Sequence, residues 1–99
     1  MKRTFIDLSG KKALITGGSR GIGRSIAIAL AEAGCDVAIN FFRHREAAEE
    51  VAKEIEALGR TALILKANVA QEDHVHRMFE EMKSVWGQID ILVSNAASG

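Results

Sequence analysis

Hydrophobic and polar positions follow two patterns that alternate along the chain. Short continuous apolar runs, such as Val37 to Ile39, are typical of strands buried on both faces of a sheet. Between these runs, apolar residues recur every three or four positions, which places them on one face of a helix. The pattern predicts strands at residues 12–16, 36–41, 61–66 and 89–94, and helices at 21–33, 45–58 and 71–86.

The resulting order, β-α-β-α-β-α-β, predicts an α/β fold of the Rossmann-like, doubly wound type. Each helix is long enough to carry the chain back across the sheet, so consecutive strands can run parallel through right-handed crossovers. Such a sheet has the strand order 3-2-1-4, and ligands bind beyond the carboxyl ends of strands one and four. We therefore expect segments 17–23 and 95–99 to converge on one crevice.

Each predicted helix has an apolar face that we expect to pack on the sheet. These faces comprise Ile22, Ile26, Ala29, Leu30 and Ala33 in the first helix, Ala48, Val51, Ala52, Ile55 and Leu58 in the second, and Val75, Met78, Phe79, Met82, Val85 and Trp86 in the third. His74 and His76 are expected to be solvated. The single cysteine, Cys35, is expected to be a small buried residue.

Composition narrows the possible functions. Hydrophobic residues make up 47% of the chain and charged residues 26%, which is ordinary for a globular domain. Lys+Arg and Asp+Glu both number 13, so no general basic field favours nucleic acid or an anionic membrane. No apolar run approaches a membrane span, and no Cys/His spacing suits a metal. We expect a cytoplasmic protein without a metal site, a nucleic-acid partner or a membrane partner.

A glycine-rich loop follows the first strand and opens the first helix. Gly17, Gly21 and Gly23 lack the Cβ atoms that would block a close backbone approach by a ligand. Amide groups at the N-terminus of the following helix concentrate positive partial charge, which suits a phosphate. Because the loop lies inside a predicted strand-turn-helix unit, the sequence favours a nicotinamide dinucleotide as ligand over a glycine turn without one.

Three motifs together point to a known family. They are Thr-Gly-x-x-x-Gly-x-Gly at Thr16, Gly17, Gly21 and Gly23, Ile-Asp-Ile-Leu-Val around Asp90, and Asn95-Ala96-Ala97 after the fourth strand. Over nearly all of its length the chain resembles the short-chain dehydrogenases/reductases. The resemblance implies three sets of cofactor contacts. The phosphates would lie among Gly17, Ser19, Arg20, Gly21, Ile22 and Gly23. The nicotinamide-side ribose would lie against Asn95, Ala96 and Ala97, and adenine would lie against Asn68 and Val69. The family normally has Asp where this chain has Asn68, so the amide brings no charge.

Charge at the end of the second strand predicts which dinucleotide binds. An NAD site needs a carboxylate there, about 20 residues after the first glycine, to bond the ribose 2′-OH. Residues 40–43 instead read Asn-Phe-Phe-Arg, and Asp36 lies at the opposite end of the strand. Arg43, with Arg20 in the facing loop, suits a 2′-phosphate, so the sequence predicts NADP(H). The alternative is that Arg43 is a solvated loop residue.

No catalytic residue is predicted within the chain. Members of the resembled family supply a proton through a Tyr beside a Lys, beyond the fourth strand, and this sequence has no tyrosine. We therefore expect residues 1–99 to be the N-terminal portion of a single Rossmann dinucleotide-binding domain, inactive alone and derived from an NADPH-dependent oxidoreductase. The fourth strand would leave an exposed sheet edge, which favours a homo-oligomer, and the resemblance implies a tetramer for the full-length parent.

The segment from Asn95 to Gly99 reads Asn-Ala-Ala-Ser-Gly, and it is the basis for an inference about the substrate. It resembles NADPH-dependent enoyl-ACP reductases that are similar overall to 3-oxoacyl-ACP reductases, which implies enoyl-ACP reduction in fatty-acid synthesis. A 3-oxoacyl-ACP reductase or another carbonyl reductase is the alternative, and a non-catalytic NADP-binding fragment is a third. For either reductase the substrate is a small molecule or an acyl-carrier-protein thioester.

Overall fold

The four predicted strands pair in one parallel sheet, with helices in the connections between them. A computed structural model describes residues 6–95. It contains β1 (Lys12–Thr16), α1 (Gly21–Glu32), β2 (Asp36–Phe41), α2 (Arg45–Ala57), β3 (Ala62–Lys66), α3 (Glu72–Trp86) and β4 (Ile91–Ser94). The strand order is β3-β2-β1-β4, which confirms the predicted fold class and topology. No helix in this described part of the chain is long and apolar enough to cross a membrane.

The sheet separates two hydrophobic cores. On one face, Ala13, Ile15 and Val37 pack among the buried residues of α1 and α2. On the other face, Leu14 and Ala38 pack with the two buried methionines of α3. Successive strand residues point to opposite faces, so a strand that is apolar throughout serves both cores. This arrangement explains why the central strands have continuous apolar runs rather than alternating ones.

The packing face of α1 differs from the predicted one. Ile22 is 73% exposed and Ala29 is exposed as well, so both assignments to the core were wrong. The buried positions of the helix are Gly23, Ala27 and Ala31. Their small size lets the helix backbone lie close to the sheet, because no long side chain stands between the two. Larger neighbours flank this contact and are only partly buried, namely Ile26 and Leu30.

The packing faces of α2 and α3 follow the predicted period. The buried positions are Ala48, Val51 and Ile55 in α2 and Met78 and Met82 in α3. Leu58 and Val85 are 41% and 54% exposed, so their assignment to the core was wrong. Leu58 follows the last residue of α2, and Val85 lies in the last turn of α3. Cys35 is fully buried, as predicted.

Two carboxylates fix the edge of the sheet at which the strands begin. Asp36 accepts hydrogen bonds from Lys12 Nζ at 2.5 Å and from the Thr61 N–H at 2.9 Å, and therefore links β2 to the strands on both sides. Asp90 accepts the Lys12 N–H at 2.8 Å. Partial burial opposes ionisation of Asp36, but the hydrogen bonds from Lys12 and Thr61 outweigh it and lower the pKa of this carboxyl.

We expect Asp36→Asn to lower the free energy of unfolding at neutral pH by roughly 1.5–3 kcal/mol, the range for a hydrogen bond to a charged group. Because folding lowers the pKa of Asp36, this contribution is complete above the ordinary carboxyl value of 3.8. It disappears as the pH falls through the lower pKa of the folded state. Urea unfolding of both proteins from about pH 7 to about pH 2 measures the difference.

Asp73→Asn is the matched control, since Asp73 lies 3.7 Å from Arg77 in an ion pair whose side chains are both mostly exposed. Loss of such a pair is expected to change stability by less than about 1 kcal/mol. A difference between wild type and Asp36→Asn that persists unchanged at the acid end of the series would contradict the role given to the Asp36 carboxylate.

Candidate functional site

A cleft of about 590 Å³ opens at the edge of the sheet where the strands end. Its walls come from the loops that follow β1, β2 and β3 and from Asn95, which follows β4. The lining residues are Gly17, Ser19, Arg20, Asn40, Phe41, Phe42, Arg43, His44, Ala67, Asn68, Val69, Ala70 and Asn95. Parallel strands bring their carboxyl ends to the same edge, which is why residues so far apart in sequence share one cavity.

The Gly17 peptide groups are held from both sides of β1. The Gly17 N–H donates to Asn40 Oδ1 at 3.3 Å, and the Gly17 carbonyl accepts from Asn95 Nδ2 at 3.1 Å. The backbone of Gly17 has φ +68°, a left-handed conformation that a side chain would strain. The glycine is therefore needed for the turn, and two asparagines from the neighbouring strands fix its orientation.

Asn95 is anchored through its backbone as well as its side chain. Its N–H donates to Thr16 Oγ1 at 2.9 Å, and the Thr16 hydroxyl in turn donates to the Val93 carbonyl at 3.4 Å. These bonds fasten the end of β4 to the end of β1. Asn95 is therefore held rigidly where it lines the cleft, and its side-chain Nδ2 is bonded to the glycine loop.

Gly23 allows α1 to start against this loop. A Cβ at position 23 would overlap the Gly17 carbonyl oxygen and would lie 2.6 Å from Asn95 Nδ2. Only a glycine lets the first turn of the helix approach so closely. The glycine spacing noted in the sequence thus serves two separate needs, a left-handed turn at position 17 and a close contact at position 23.

The N-terminus of α1 has no acidic group of its own to neutralise it. Its N-cap residue, Arg20, makes no side-chain capping bond, and the first turn contains no Asp or Glu. By contrast, α2 begins with Glu46 in its first turn, and α3 begins with Glu72 and Asp73. The first amides of a helix lack acceptors within it and carry partial positive charge, so this terminus is suited to an external anion.

Cationic side chains reinforce that preference in the cleft. Arg20 and Arg43 both line it, and no Asp or Glu is among its described lining residues. The Arg43 guanidinium carbon lies 5.6 Å from the centre of the Phe42 ring, close enough for a cation–π contact. The cleft can therefore hold an anionic, ring-containing ligand. Among residues 6–95, no three His, Cys, Asp or Glu side chains come together as a metal site would require.

Asn40 is a residue of the site that sequence reasoning missed. It is 2% exposed, and its Nδ2 donates to the carbonyls of Ala67 at 3.0 Å and Leu65 at 3.3 Å. With its bond to Gly17, the side chain joins the end of β3 to the glycine loop. The available signal was a single polar residue in the apolar run of β2, which in a buried strand must have hydrogen-bond partners.

Asn68 forms the wall on the side of β3. Its Oδ1 accepts the Ala70 N–H at 3.0 Å, and its own N–H donates to His74 Nδ1 at 3.1 Å. The expectation that His74 is solvated is therefore wrong, because the turn before α3 folds back onto the half-buried imidazole. His76 is exposed, as expected.

The predicted site residues fall into three groups in the structure. Those that line the cleft are Gly17, Ser19, Arg20, Arg43, Asn68, Val69 and Asn95. Those that form the first turn of α1, beside the cleft, are Gly21, Ile22 and Gly23. Ala96 and Ala97 lie outside the described residues.

The chain is similar to known proteins over most of its length. Residues 11–99 match the family model of the short chain dehydrogenases. The 3-oxoacyl-(acyl-carrier-protein) reductase FabG of Staphylococcus aureus is 51% identical over 86 residues, which cover 87% of this chain and 35% of the reductase. The chain thus spans about a third of the length of that relative.

Crystal structures show the same similarity. A short-chain type dehydrogenase/reductase from Mycobacterium marinum is 49% identical, with a TM-score of 0.86 over 92% of this chain and 36% of that protein. A short chain dehydrogenase from Burkholderia cenocepacia, crystallised in complex with NADP, is 47% identical. Its TM-score is 0.88 over 91% of this chain and 37% of that protein.

We expect Gly23→Ala to destabilise the protein by about 1–3 kcal/mol, the usual cost of overpacking a filled site. Helix propensity alone predicts the opposite sign, since Gly→Ala inside a free helix is stabilising by roughly 0.5–1 kcal/mol. Urea unfolding of the protein therefore distinguishes the two effects by sign. Ser25→Ala, at an exposed position of the same helix, is the control and should not be destabilising; a stabilised Gly23→Ala variant would rule out the close contact with Gly17.

Proposed function

Because the chain belongs to the short-chain dehydrogenase family, we propose that it forms the NADP(H)-binding part of an oxidoreductase. The observation that carries the proposal is the cleft at the carboxyl ends of the strands, which two arginines and no described acidic residue line. The NADP complex of the Burkholderia cenocepacia dehydrogenase supports the choice of dinucleotide, since that protein is 47% identical to this chain.

The residues present fit such a cofactor. The uncapped N-terminus of α1, with Gly17 and Ser19 before it, suits the pyrophosphate. Gly23 has no Cβ, and this lets the first turn of α1 lie directly against Gly17. Arg43 and Arg20 suit the 2′-phosphate through charge-assisted hydrogen bonds. We further propose that Asn68 and Val69 contact adenine and that Asn95, Ala96 and Ala97 border the nicotinamide-side ribose.

The cofactor supplies the hydride, and this chain's residues orient it. The hydrogen bonds of Asn95 to Thr16 and Gly17 fix the positions of the loops after β1 and β4 relative to each other. A bound dinucleotide would therefore meet a preorganised surface. The 99 residues contain no tyrosine. We therefore propose that the group that supplies the accompanying proton lies outside them.

The substrate we propose is the carbonyl group of a 3-oxoacyl thioester. Support comes from the 3-oxoacyl-(acyl-carrier-protein) reductase FabG, which is 51% identical over 86 residues. The enoyl-ACP prediction rests on the segment from Asn95 to Gly99, and no relative named above supports it. It remains the second candidate, and a fragment that binds NADP(H) without turnover is the third.

Association with further chains is part of the proposal. In the described sheet β4 pairs with β1 and with no other described strand, and Leu92 on β4 and Val85 on α3 are each 54% exposed. An open strand edge beside apolar side chains favours pairing with another chain or another segment. A homo-oligomer fits this surface, and both the tetramer and the cytoplasmic location remain predictions.

We expect Arg43→Ala to weaken NADPH binding by at least about tenfold, because a hydrogen bond to a charged group contributes roughly 1.5–3 kcal/mol. NADH has no 2′-phosphate, so its affinity should change by less than about twofold on the same reasoning. Fluorescence titration of the full-length protein with both cofactors measures the two constants. Lys53→Ala removes the same charge from an exposed position on α2 and serves as the control; equal losses for both cofactors in Arg43→Ala would refute the assignment.

Turnover identifies the substrate. We expect the full-length protein to oxidise NADPH with acetoacetyl thioesters, because the proposed reaction reduces a ketone. Oxidation with crotonyl thioesters instead would establish the enoyl reductase. Cofactor binding without oxidation by either thioester would refute both acyl-thioester reductases and would leave another carbonyl reductase or the non-catalytic fragment.

A further inference from the structure

His74 lies behind the wall of the cleft and contacts two residues that form it. Its Nδ1 accepts the Asn68 N–H at 3.1 Å. Its ring also meets Phe42 in an edge-to-face arrangement, with ring centres 6.4 Å apart and planes at 62°. Asn68 follows β3 and Phe42 follows β2, and both line the cleft. One imidazole on α3 is therefore in contact with both loops.

The hydrogen bond fixes the orientation of the imidazole. Because Nδ1 accepts the Asn68 N–H, the ring is held with this nitrogen turned toward the turn before α3. The acceptor also orients the turn, because Asn68 is held by its N–H to His74 and by its Oδ1 to the Ala70 N–H at 3.0 Å. The side-chain Nδ2 group of Asn68 is thereby held in a defined direction at the cleft wall.

The Phe42 contact extends this influence to the cationic side of the cleft. The Phe42 ring contacts both His74 and Arg43, whose guanidinium carbon is 5.6 Å from the ring centre. Displacement of the imidazole would therefore remove a packing contact of the Phe42 ring, and this ring in turn contacts the Arg43 guanidinium. Asn68 and Arg43, which the proposed function assigns to the adenine and the 2′-phosphate, are thus both linked to the same histidine.

From this geometry we propose that His74 is a positioning residue for the adenosine end of the cofactor, a role that rests on the proposed function. It does not line the cleft; it acts through Asn68 and Phe42. The imidazole also borders a second cavity of about 320 Å³, whose other lining residues are Phe42, Lys66, Arg77, Met78 and Glu81. The ring therefore is not enclosed by packing, and substitutions there need not disturb the core.

Two substitutions separate the acceptor from the ring. His74→Phe keeps an aromatic ring against Phe42 but has no acceptor for the Asn68 N–H. His74→Asn loses the ring but offers an amide oxygen near the place of Nδ1. In the full-length protein we expect His74→Phe to raise the KM for NADPH about three- to tenfold, the factor that corresponds to one neutral hydrogen bond, with kcat unchanged. His74→Asn should raise the KM less than His74→Phe does, because it restores the acceptor for Asn68 and gives up only the contact with the Phe42 ring. His76→Phe, at the exposed neighbouring histidine, should change nothing.

Hydrogen exchange at the Asn68 amide gives a second readout that needs no cofactor. We expect exchange to accelerate in His74→Phe and to stay slow in His74→Asn. An unchanged KM in His74→Phe, or equal losses in the two variants, would overturn the positioning role alone. A wild-type protein that binds no NADPH would overturn the proposed function and this role with it.

Discussion

The cleft depends on the orientation of the Gly17 peptide groups. β1 lies between β2 and β4, and an asparagine from each of those strands' ends reaches across to Gly17, one accepting its N–H and the other donating to its carbonyl. The glycine turn has little stiffness of its own, since glycine loses more conformational freedom on folding than any other residue. Its shape is therefore imposed by its neighbours, and the start of α1 and both walls of the cleft follow from it.

Charge is distributed unequally between the two edges of the sheet. Where the strands begin, the carboxylates of Asp36 and Asp90 accept hydrogen bonds from Lys12 and so belong to the framework. Where the strands end, neutral amides provide the internal bonds, and the charged lining residues Arg20 and Arg43 bear positive charge. An anion at the second edge thus meets helix amides and guanidinium groups without competition from a carboxylate in the described lining.

The sequence allowed the fold to be predicted almost completely, because period and glycine position are local properties. Every strand and helix follows from them, and the strand order follows from the doubly wound topology that their alternation indicates. The face of α1 could not be predicted, since a rule that counts apolar bulk favours Ile22 over Gly23, whereas the sheet accepts the smaller residue. Asn40 and His74 escaped for a different reason. Asn40 is hydrogen-bonded to Gly17 and His74 to Asn68, and each partner lies outside the residue's own strand or helix. The hydrophobic period of a strand or helix does not predict such partners.

The bond between Asn95 and Gly17 joins residues 78 positions apart. Contacts of that sequence separation form late, because a long loop must close before they add stability. During synthesis on the ribosome, the glycine loop emerges before β4 and lacks its hydrogen bond from Asn95 until β4 has followed. The glycine loop therefore reaches its final hydrogen-bonded form only after β4 has joined the sheet, and a ligand that binds there stabilises the sheet that is already formed.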